Sequence, residues 1–418
     1  MSRYIKQNSS ISIINAMKII INTSTFKEVN DEPITDVINR LVDGLIEQNS
    51  KFKFVILKPM GVNGNKFLKK DNYNIHSYRY FFINKYQTFG TQGIKPSIQK
   101  NKFNIFKLIF LLISQFVSLK KLIKEENPDY VYAHWFFPQA FITAILAKYY
   151  DVKFIYTSHG SDVQIFNSMG FIGKYIIRKV TDSSHRYTAV SELTLQQINK
   201  NFNSQELIPN KFKVIPMGID EKYFKVKNQL ETKHNDSLRF LYVGRLVDYK
   251  GVELLLTALS QYKLENDNFK LDILGTGILE EKLIGKVVEF DLTSNVTFHG
   301  FKNFNEKMQM IERSNIFFIP SIIKKTQLEG GPLTLMEAMA TGGVCAVSDS
   351  VGFATYCNSS NSLLFRSGDA RHLKSKIEEY TSMKKTEIID IQNAAAHTAE
   401  FFRFSNISKI HSEFLFSH

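Results

Sequence analysis

The chain has 418 residues, a formal charge of +13, 44% hydrophobic and 22% charged residues, and two cysteines. Its length suits two domains of the common ~100–200 residues each, and its composition is that of a globular chain rather than a disordered or fibrous one. Cys345 and Cys357 match no metal spacing or disulfide framework, which points to a reducing compartment, and the N-terminus carries no apolar stretch with a small-residue cleavage site, so secretion is not expected.

In chain order, short apolar runs alternate with longer helical patterns. MKIIIN (17–22), FKFVILK (52–58), YVYAH (130–134), KFIYTS (153–158), RYTAV (186–190) and KFKVIP (211–216) predict strands. ITDVINRLVDGLIEQ (34–48) and the segment 103–125 predict helices between them. The apolar run at 103–119 is interrupted by Lys107, Ser114 and Gln115, and falls short of the ~20 residues of a spanning helix. FKVKNQLETKHNDS (224–237) is polar, lacks periodicity and reads as a linker. Beyond it the alternation restarts with LRFLYVG (238–244), FKLDILG (269–275), NVTFHG (295–300), NIFFIPS (315–321) and GVCAVS (343–348). Two doubly wound α/β domains in tandem follow from this pattern. Ligands are expected beyond the carboxyl ends of the strands, in the cleft between the two sheets.

The positive charge is uneven. Residues 1–222 hold 30 Lys+Arg against 17 Asp+Glu, whereas residues 223–418 hold 23 of each. The excess is densest from Lys66 to Lys124, with 12 basic residues and one acid, Asp71, among many aromatics. Such a stretch suits an anionic membrane face or nucleic acid, or is simply a solvated lysine-rich surface. With no nucleic-acid module in the sequence, the membrane reading leads the nucleic-acid one and no nucleic-acid partner is expected.

Four strand ends carry chemistry. In LYVGRLVDYKGVELLLTAL, Arg245 follows the strand and a helix is expected to begin near Lys250–Gly251. Two cations at a helix start oppose its dipole unless an anion lies between them, and a guanidinium plus an ammonium suits a diphosphate. In LEGGPLTLMEAMATGG, Pro332 is expected at the first helical position, where its missing N–H costs nothing. Gly330 and Gly331 allow close backbone approach, and free N–H groups of the helix start form a second anion site. Glu329 lies before that helix and Glu337 at the edge of its apolar stripe. A partly buried Glu337 needs donors, either the two hydroxyls of a ribose or a buried lysine. His134, with Trp135 after it, and His159, followed by Gly160 and Asp162, close two successive strands in the first half. No Asp-x-Asp pair supplies a metal clamp. GTG at 275–277 is followed by Glu280, so a dinucleotide fingerprint fails.

Together GRLVDYKG, EGGPLTLMEAMATGG with its Glu–seven–Glu spacing, AHWFFPQA, TSHGSD and VIPMGID resemble the family 4 retaining glycosyltransferases of the GT-B fold, over nearly the whole chain. The resemblance implies two Rossmann-like domains facing a central cleft. Residues 1–222 would form the acceptor-side domain and 223–398 the donor-binding domain, with a helix in 399–418 crossing back. It implies that Arg245, Lys250 and the backbone at Gly331, Pro332 and Leu333 hold the donor diphosphate. Glu329, Gly330 and His159 would meet the donor sugar, Glu337 the ribose, and Gly300–Phe301 would flank the base. His159 and Glu329 are the candidates beside the reacting centre, although Glu329 is a poor nucleophile or base. His134, Trp135 and Asp162 are candidates on the acceptor side. The implied partners are a nucleotide sugar such as a UDP- or GDP-sugar, a lipid-linked or oligosaccharide acceptor, and an anionic membrane surface met by the basic 66–124 region. No cofactor or metal is expected. The implied setting is surface polysaccharide assembly (capsule, exopolysaccharide or lipopolysaccharide), in the cytoplasm or on the membrane's inner face. The chain departs from the family after its first strand, where NTSTFKEVNDEP (22–33) has no glycine to cradle a ligand. A phosphorylase, a sugar-nucleotide epimerase and a non-catalytic basic docking protein remain the alternatives.

Overall fold

The computed structural model describes residues 16–28, 36–62, 64–92, 94, 97–98, 101, 104–160, 162–225, 237–324, 327 and 329–416. Most of the predicted linker, the loop segment 29–33, Ser161 and the basic residues Lys95, Lys100 and Lys102 lie outside the described residues.

Eight strands form the first sheet: β1 (Met17–Asn22), β2 (Phe52–Pro59), β3 (Phe67–Lys69), β4 (Tyr73–Tyr78), β5 (Tyr130–His134), β6 (Lys153–Ser158), β7 (Arg186–Ala189) and β8 (Phe212–Val214). They lie in the order β3-β4-β2-β1-β5-β6-β7-β8, all parallel except β3 on β4. Ile19, Ile20 and Ile21 are each fully buried. Alternate side chains point to opposite faces, so both faces must be covered. Ile19 and Ile21 meet helix α1 (Val37–Gln48) through Leu41 and Leu45, whereas Ile20 meets helix α2 (Asn104–Glu126) through Leu111 and Leu119. At ~1.5–3 kcal/mol for each such side chain, this double burial explains why MKIIIN is a central strand. Helices α3 (Phe141–Tyr150) and α4 (Gly170–Ser183) follow β5 and β6 and cover the same face as α2.

The second sheet comprises β9 (Leu238–Val243), β10 (Phe269–Leu274), β11 (Val296–Gly300), β12 (Ile316–Ile319), β13 (Val344–Ser348) and β14 (Leu363–Phe365). All its pairs are parallel, in the order β11-β10-β9-β12-β13-β14. Phe240 and Tyr242 face helices α5 (Val252–Lys263) and α8 (Ala370–Ser382). Leu241, between them, faces the opposite layer, formed by α7 (Leu333–Ala340) and α9 (Lys385–Glu400); α6 (Phe304–Arg313) lies on that side too. The order reverses at β1 in one sheet and β9 in the other. The crevices beyond β1/β5 and β9/β12 are therefore the switch points where α/β sheets bind ligands.

The chain leaves the second sheet after α9. The Ile219 amide donates to the Phe402 carbonyl at 2.9 Å, and helix α10 (Phe404–Phe416) docks on α1 of the first domain. Gly44 of α1 is required there, since a Cβ on it would stand 2.0 Å from Ser408 Oγ. Phe416 packs among Phe52, Tyr130 and Tyr132.

Three strands were not predicted. β3 and β14 have three residues each, too short for periodicity to register. In β4, YNIHSY, polar Asn74 and His76 hide the alternation, yet Ile75, Ser77 and Tyr78 are buried. Tyr78 and Tyr80 thus belong to the core under α2 rather than to a basic aromatic surface. The glycine-free loop after β1 is anchored at its start. Lys58, 1% exposed at the end of β2, donates to the Phe26 carbonyl at 2.8 Å and pairs with Glu28 at 2.9 Å. Residues 23–26 accordingly fold down on the sheet's edge.

Candidate functional site

On the second domain, β9 ends at Val243 and Tyr242 Oη donates to the Arg245 carbonyl at 3.1 Å. The Arg245 guanidinium donates to Tyr249 Oη at 2.7 Å. Asp248–Lys250 forms a 3₁₀ turn and Gly251 adopts φ +70°, with α5 starting at Val252. Lys250 therefore precedes the helix rather than sitting in its first turn, as expected from the sequence. Gly251 sets that break: besides its positive φ, a Cβ there would lie 1.9 Å from the Pro320 carbonyl oxygen. Lys250 Nζ forms an ion pair with Glu329, with side chains only 15% and 11% exposed. The residue expected on the sugar is thus held by the residue expected on the phosphate. A nearly buried carboxylate requires a donor, and the crevice between β9 and β12 brings this one to it.

Glu329 also fixes its loop through its carbonyl, which accepts from the Gly352 amide at 2.8 Å. Pro332 is the N-cap of α7 (φ −72°, ψ 100°), one residue before its expected position. Its carbonyl accepts from the Leu335 amide at 3.0 Å, so its ring still avoids any needed donor. Leu335, Met336, Met339 and Ala340 are buried, as their stripe requires, and Leu333 is half-buried. Glu337 meets Lys307 of α6 at 2.8 Å and accepts from the Tyr223 hydroxyl, which burial, then Glu337, hold protonated. Of the two sequence alternatives for Glu337, the lysine partner is present. Neither Lys307 nor Tyr223 was foreseen. A signal existed: Lys307 sits one turn from both Phe304 and Ile311, on the inward stripe of α6.

On the first domain, His134 and His159 leave the ends of β5 and β6, with His134 Nδ1 3.1 Å from His159 Nε2. Trp135, at φ +71°, lies over His159 with ring centroids 4.6 Å apart. Asp162 ties the two strand ends together: it accepts from the Phe136 amide at 2.8 Å, Ser158 Oγ at 2.7 Å and the His159 amide at 3.3 Å. Burial nonetheless raises its pKa. His134 is fully buried, so His134 and Asp162 brace the site from behind rather than face an acceptor; Trp135 and His159 stand at the front. Burial, then the neighbouring His411, lowers the His159 pKa to about 3, and burial drives His134 well down. His159 is thus a neutral imidazole at working pH, a hydrogen-bonding group rather than a cation. His411 comes from α10 and was also not foreseen, although Ile407, His411 and Leu415 share one buried stripe.

The two halves meet. A cavity of about 110 Å³ lies between Trp135, His159 and Val190 on one side and Gly331, Leu333 and Phe353 on the other. Gln164 Nε2 donates across to the Lys324 carbonyl at 3.2 Å. Gly330 and Gly331 were expected to admit a ligand; here they admit protein. A Cβ on Gly330 would stand 2.8 Å from Gly160 Cα and 2.9 Å from the His159 carbonyl oxygen, and one on Gly331 2.5 Å from the Phe353 ring. Gly330→Val should therefore wedge the domains apart, raising the radius of gyration in solution scattering. An unchanged radius would show this close contact to be dispensable. Gly300 (φ +65°) accepts from the Gly275 amide at 2.7 Å, and Phe301 is 73% exposed beyond the edge strand β11. Neither lines the cavity.

Comparison with known proteins gives a consistent picture. Residues 225–397 match the family described as glycosyl transferases group 1, and residues 86–223 match Glycosyltransferase Family 4. An uncharacterized glycosyltransferase of Methanocaldococcus jannaschii is 26% identical over 315 residues, covering 75% of this chain and 81% of that protein. The amylovoran biosynthesis glycosyltransferase AmsK of Erwinia amylovora is 30% identical over 188 residues, 44% of this chain and 46% of that one. Among solved structures, trehalose-6-phosphate from E. coli bound with UDP-2-fluoro glucose superimposes with a TM-score of 0.72 at 12% identity, covering 96% of this chain and 99% of that one.

Proposed function

The chain belongs to the family 4, group 1 glycosyltransferases and has the GT-B fold, and from that premise we propose that it moves a sugar from a nucleotide diphosphate to an acceptor hydroxyl with retention of configuration. The observation that carries the reading is the convergence of Arg245, Lys250 and Glu329 at the switch point of the second sheet, with His159 facing the adjacent Gly330–Leu333 loop from the first domain. As the glycosidic bond breaks, charge develops on the leaving diphosphate. Arg245 and Lys250 are preorganised donors for that charge, and Glu329 keeps the Lys250 ammonium oriented before the donor arrives. Glu329 then takes sugar hydroxyls, and neutral His159 hydrogen-bonds the sugar or phosphate. Glu337, oriented by Lys307 and Tyr223, takes the ribose, while Phe301 and Gly300 border the base. The leaving phosphate takes the acceptor's proton on the same face, so no side-chain base is assigned. The two cations stand where a divalent ion would otherwise neutralise the diphosphate, so transfer should persist in EDTA.

The acceptor we propose is lipid-linked or an oligosaccharide, in surface polysaccharide assembly on the inner face of a membrane. The amylovoran relative supports that setting, and the UDP-sugar bound by the E. coli structure supports the donor class. A thermal-shift panel of UDP-, GDP- and ADP-sugars tests the donor. The true donor at about 100 times its Kd should add about 2.7 kcal/mol of stability by mass action. A panel in which no nucleotide sugar raises the melting temperature would overturn the reading.

A further inference from the structure

The cavity between the domains differs in chemistry from the cluster of Arg245, Lys250 and Glu329. None of those three lines it, and no lining residue carries a formal charge, because His159 is neutral. Its walls are apolar: Ile38 of α1, Val190 after β7 and Met217 from the first domain, Leu333 and Phe353 from the second. Ile38, Val190, Met217 and Phe353 are each at most 4% exposed, so the cores of the two domains fix these walls in place. Trp135 closes one side with its ring over His159, and does so at φ +71°, a strained region for a residue other than glycine. A diphosphate would find no counter-charge here. A sugar hydroxyl pressed against these walls would lose its water without replacement.

Two side chains bordering the cavity supply donors. One is the Trp135 indole N–H. The other follows from the histidine pair. His134 Nδ1 lies 3.1 Å from His159 Nε2, and one of these nitrogens carries the proton between them. His134 is fully buried, and its Nε2 has no hydrogen-bond partner among the described residues. A proton on that Nε2 would be an orphaned buried N–H, which proteins tolerate less than a bare acceptor. The shared proton is therefore assigned to His134 Nδ1, and His159 accepts it at Nε2. A neutral imidazole has one N–H, so His159 carries its own on Nδ1. The cavity is thus apolar, uncharged and provided with donors.

An occupant must therefore bring apolar surface and an uncharged hydrogen-bond acceptor. An apolar cavity of about 150 Å³ holds benzene, with its six heavy atoms, and the 110 Å³ available here scales to about four. The acetamido group of an N-acetylated sugar has four: a methyl for the walls, a carbonyl for the donors, and an N–H that stays at the rim beside the sugar ring. A 6-deoxy sugar brings a methyl without the carbonyl and leaves the donors unanswered. We propose that this cavity seats the acetamido group of an N-acetylated sugar, an assignment that rests on the cleft being the site of sugar transfer. Residues of both domains line the cavity, so the N-acetylated sugar belongs either to the donor or to the acceptor, and the two sources are separable by experiment.

The test uses the full chain and two substitutions in the wall. Val190→Phe fills the cavity, and Val190→Thr, of nearly the same shape, puts a hydroxyl into it. In the donor arm, thermal shift compares UDP-N-acetylglucosamine with UDP-glucose. In the acceptor arm, saturation-transfer NMR with UDP present compares N-acetylglucosamine with glucose and L-fucose. In one of the arms the N-acetylated sugar should bind about tenfold more tightly or better, the scale of one small apolar contact in a pocket; the arm that responds identifies the source. In the acceptor arm the acetamido methyl should take up the strongest saturation. Val190→Phe should erase the preference. Should that variant fold poorly, Val190→Thr should cut it about threefold, because the added hydroxyl loses its water when the cavity is filled. A wild type that treats N-acetylated and plain sugars alike in both arms would overturn the proposal. So would L-fucose matching N-acetylglucosamine, or a preference that survives in folded Val190→Phe. Equal stabilisation by the two nucleotide sugars, with no preference among the free sugars, would remove this assignment and leave the transferase reading standing. Binding of N-acetylglucosamine in the cavity with no response to any nucleotide sugar would do the reverse.

Discussion

Replacing Lys250 with alanine should lower sugar transfer by about 10²–10³-fold, the usual loss when one preorganised charge-stabilising donor is removed from a reacting centre. Lys250 is also the partner of a nearly buried carboxylate, with only 15% and 11% of the two side chains exposed. Removing one member of such a pair leaves the other charge uncompensated, at a cost on the order of 3–5 kcal/mol. Lys250→Ala should therefore lower the melting temperature as well, and loss of activity alone would be ambiguous. The pair Lys250→Met/Glu329→Gln separates the effects. Two neutral side chains of similar volume remove the unpaired charge, so stability should return toward that of the wild type while transfer stays lost. Recovery of transfer in the double variant would show that neither charge acts on the donor. Glu337→Gln is a milder comparison, because Lys307 and Tyr223 can still bond an amide oxygen. It should weaken donor binding more than it slows turnover.

Stability should fall steeply as pH drops from 6.5 toward 4. Three histidines from different elements lie together at the cleft: His134 at the end of β5 and His411 on α10 behind it, and His159 after β6 at its front. Burial lowers the pKa of His159 and His411 to about 3 and that of His134 well below its usual value; His411 further lowers that of the other two, while a hydrogen bond to the Pro216 backbone partly offsets the burial of His411. Because the folded pKa lies below the unfolded value near 6.5, the unfolded chain takes up protons first. Stability is then complete above about pH 6.5 and is lost as pH falls through the window toward 3. At pH 4.5 the difference is on the order of 2–3 kcal/mol for the buried His411, and less for His159, which is only partly buried. His411→Gln should flatten the melting-temperature profile between pH 6.5 and 4.5, since glutamine cannot take the proton. A wild-type profile that is flat over that range would show that these imidazoles are hydrated in the folded protein. As α10 comes from the far end of the chain and packs on the first domain, its release at low pH should accompany the loss of stability.

Most strands could be read from local pattern. Eleven apolar runs coincide with strands to within one or two residues, because a parallel strand buried on both faces needs consecutive apolar side chains. Glycine, arginine, histidine and glutamate at the ends of those runs located the cleft, since α/β sheets place their loops beyond the strands' carboxyl ends. Local pattern failed where it was short or interrupted, as in β3, β14 and β4. It also misplaced Pro332 and the start of α5 by a residue or two. A proline without an N–H is tolerated equally at both positions, and the contact that demands Gly251 is the distant Pro320 carbonyl.

What remained for the tertiary structure was partnership. The sequence determined that Lys250, Glu329 and Glu337 lie on loops and a helix start near a cleft; that Lys250 faces Glu329, and that Lys307 and Tyr223 face Glu337, depends on which strands lie side by side. It supplied the small residues Gly330 and Gly331, but that Gly330 faces Gly160 follows from the two domains coming together, and that Gly331 faces Phe353 from the packing of loops within the second. For α2 it showed an apolar helix interrupted by a lysine and two polar residues. Such periodicity is nearly the same on both sides, and only the packing of Leu111 and Leu119 on β1 decides that Phe106, Phe110 and Ile113 are the side left to the outside. Side chains choose partners by proximity in space, and residues far apart in the chain become neighbours only once the sheets have formed.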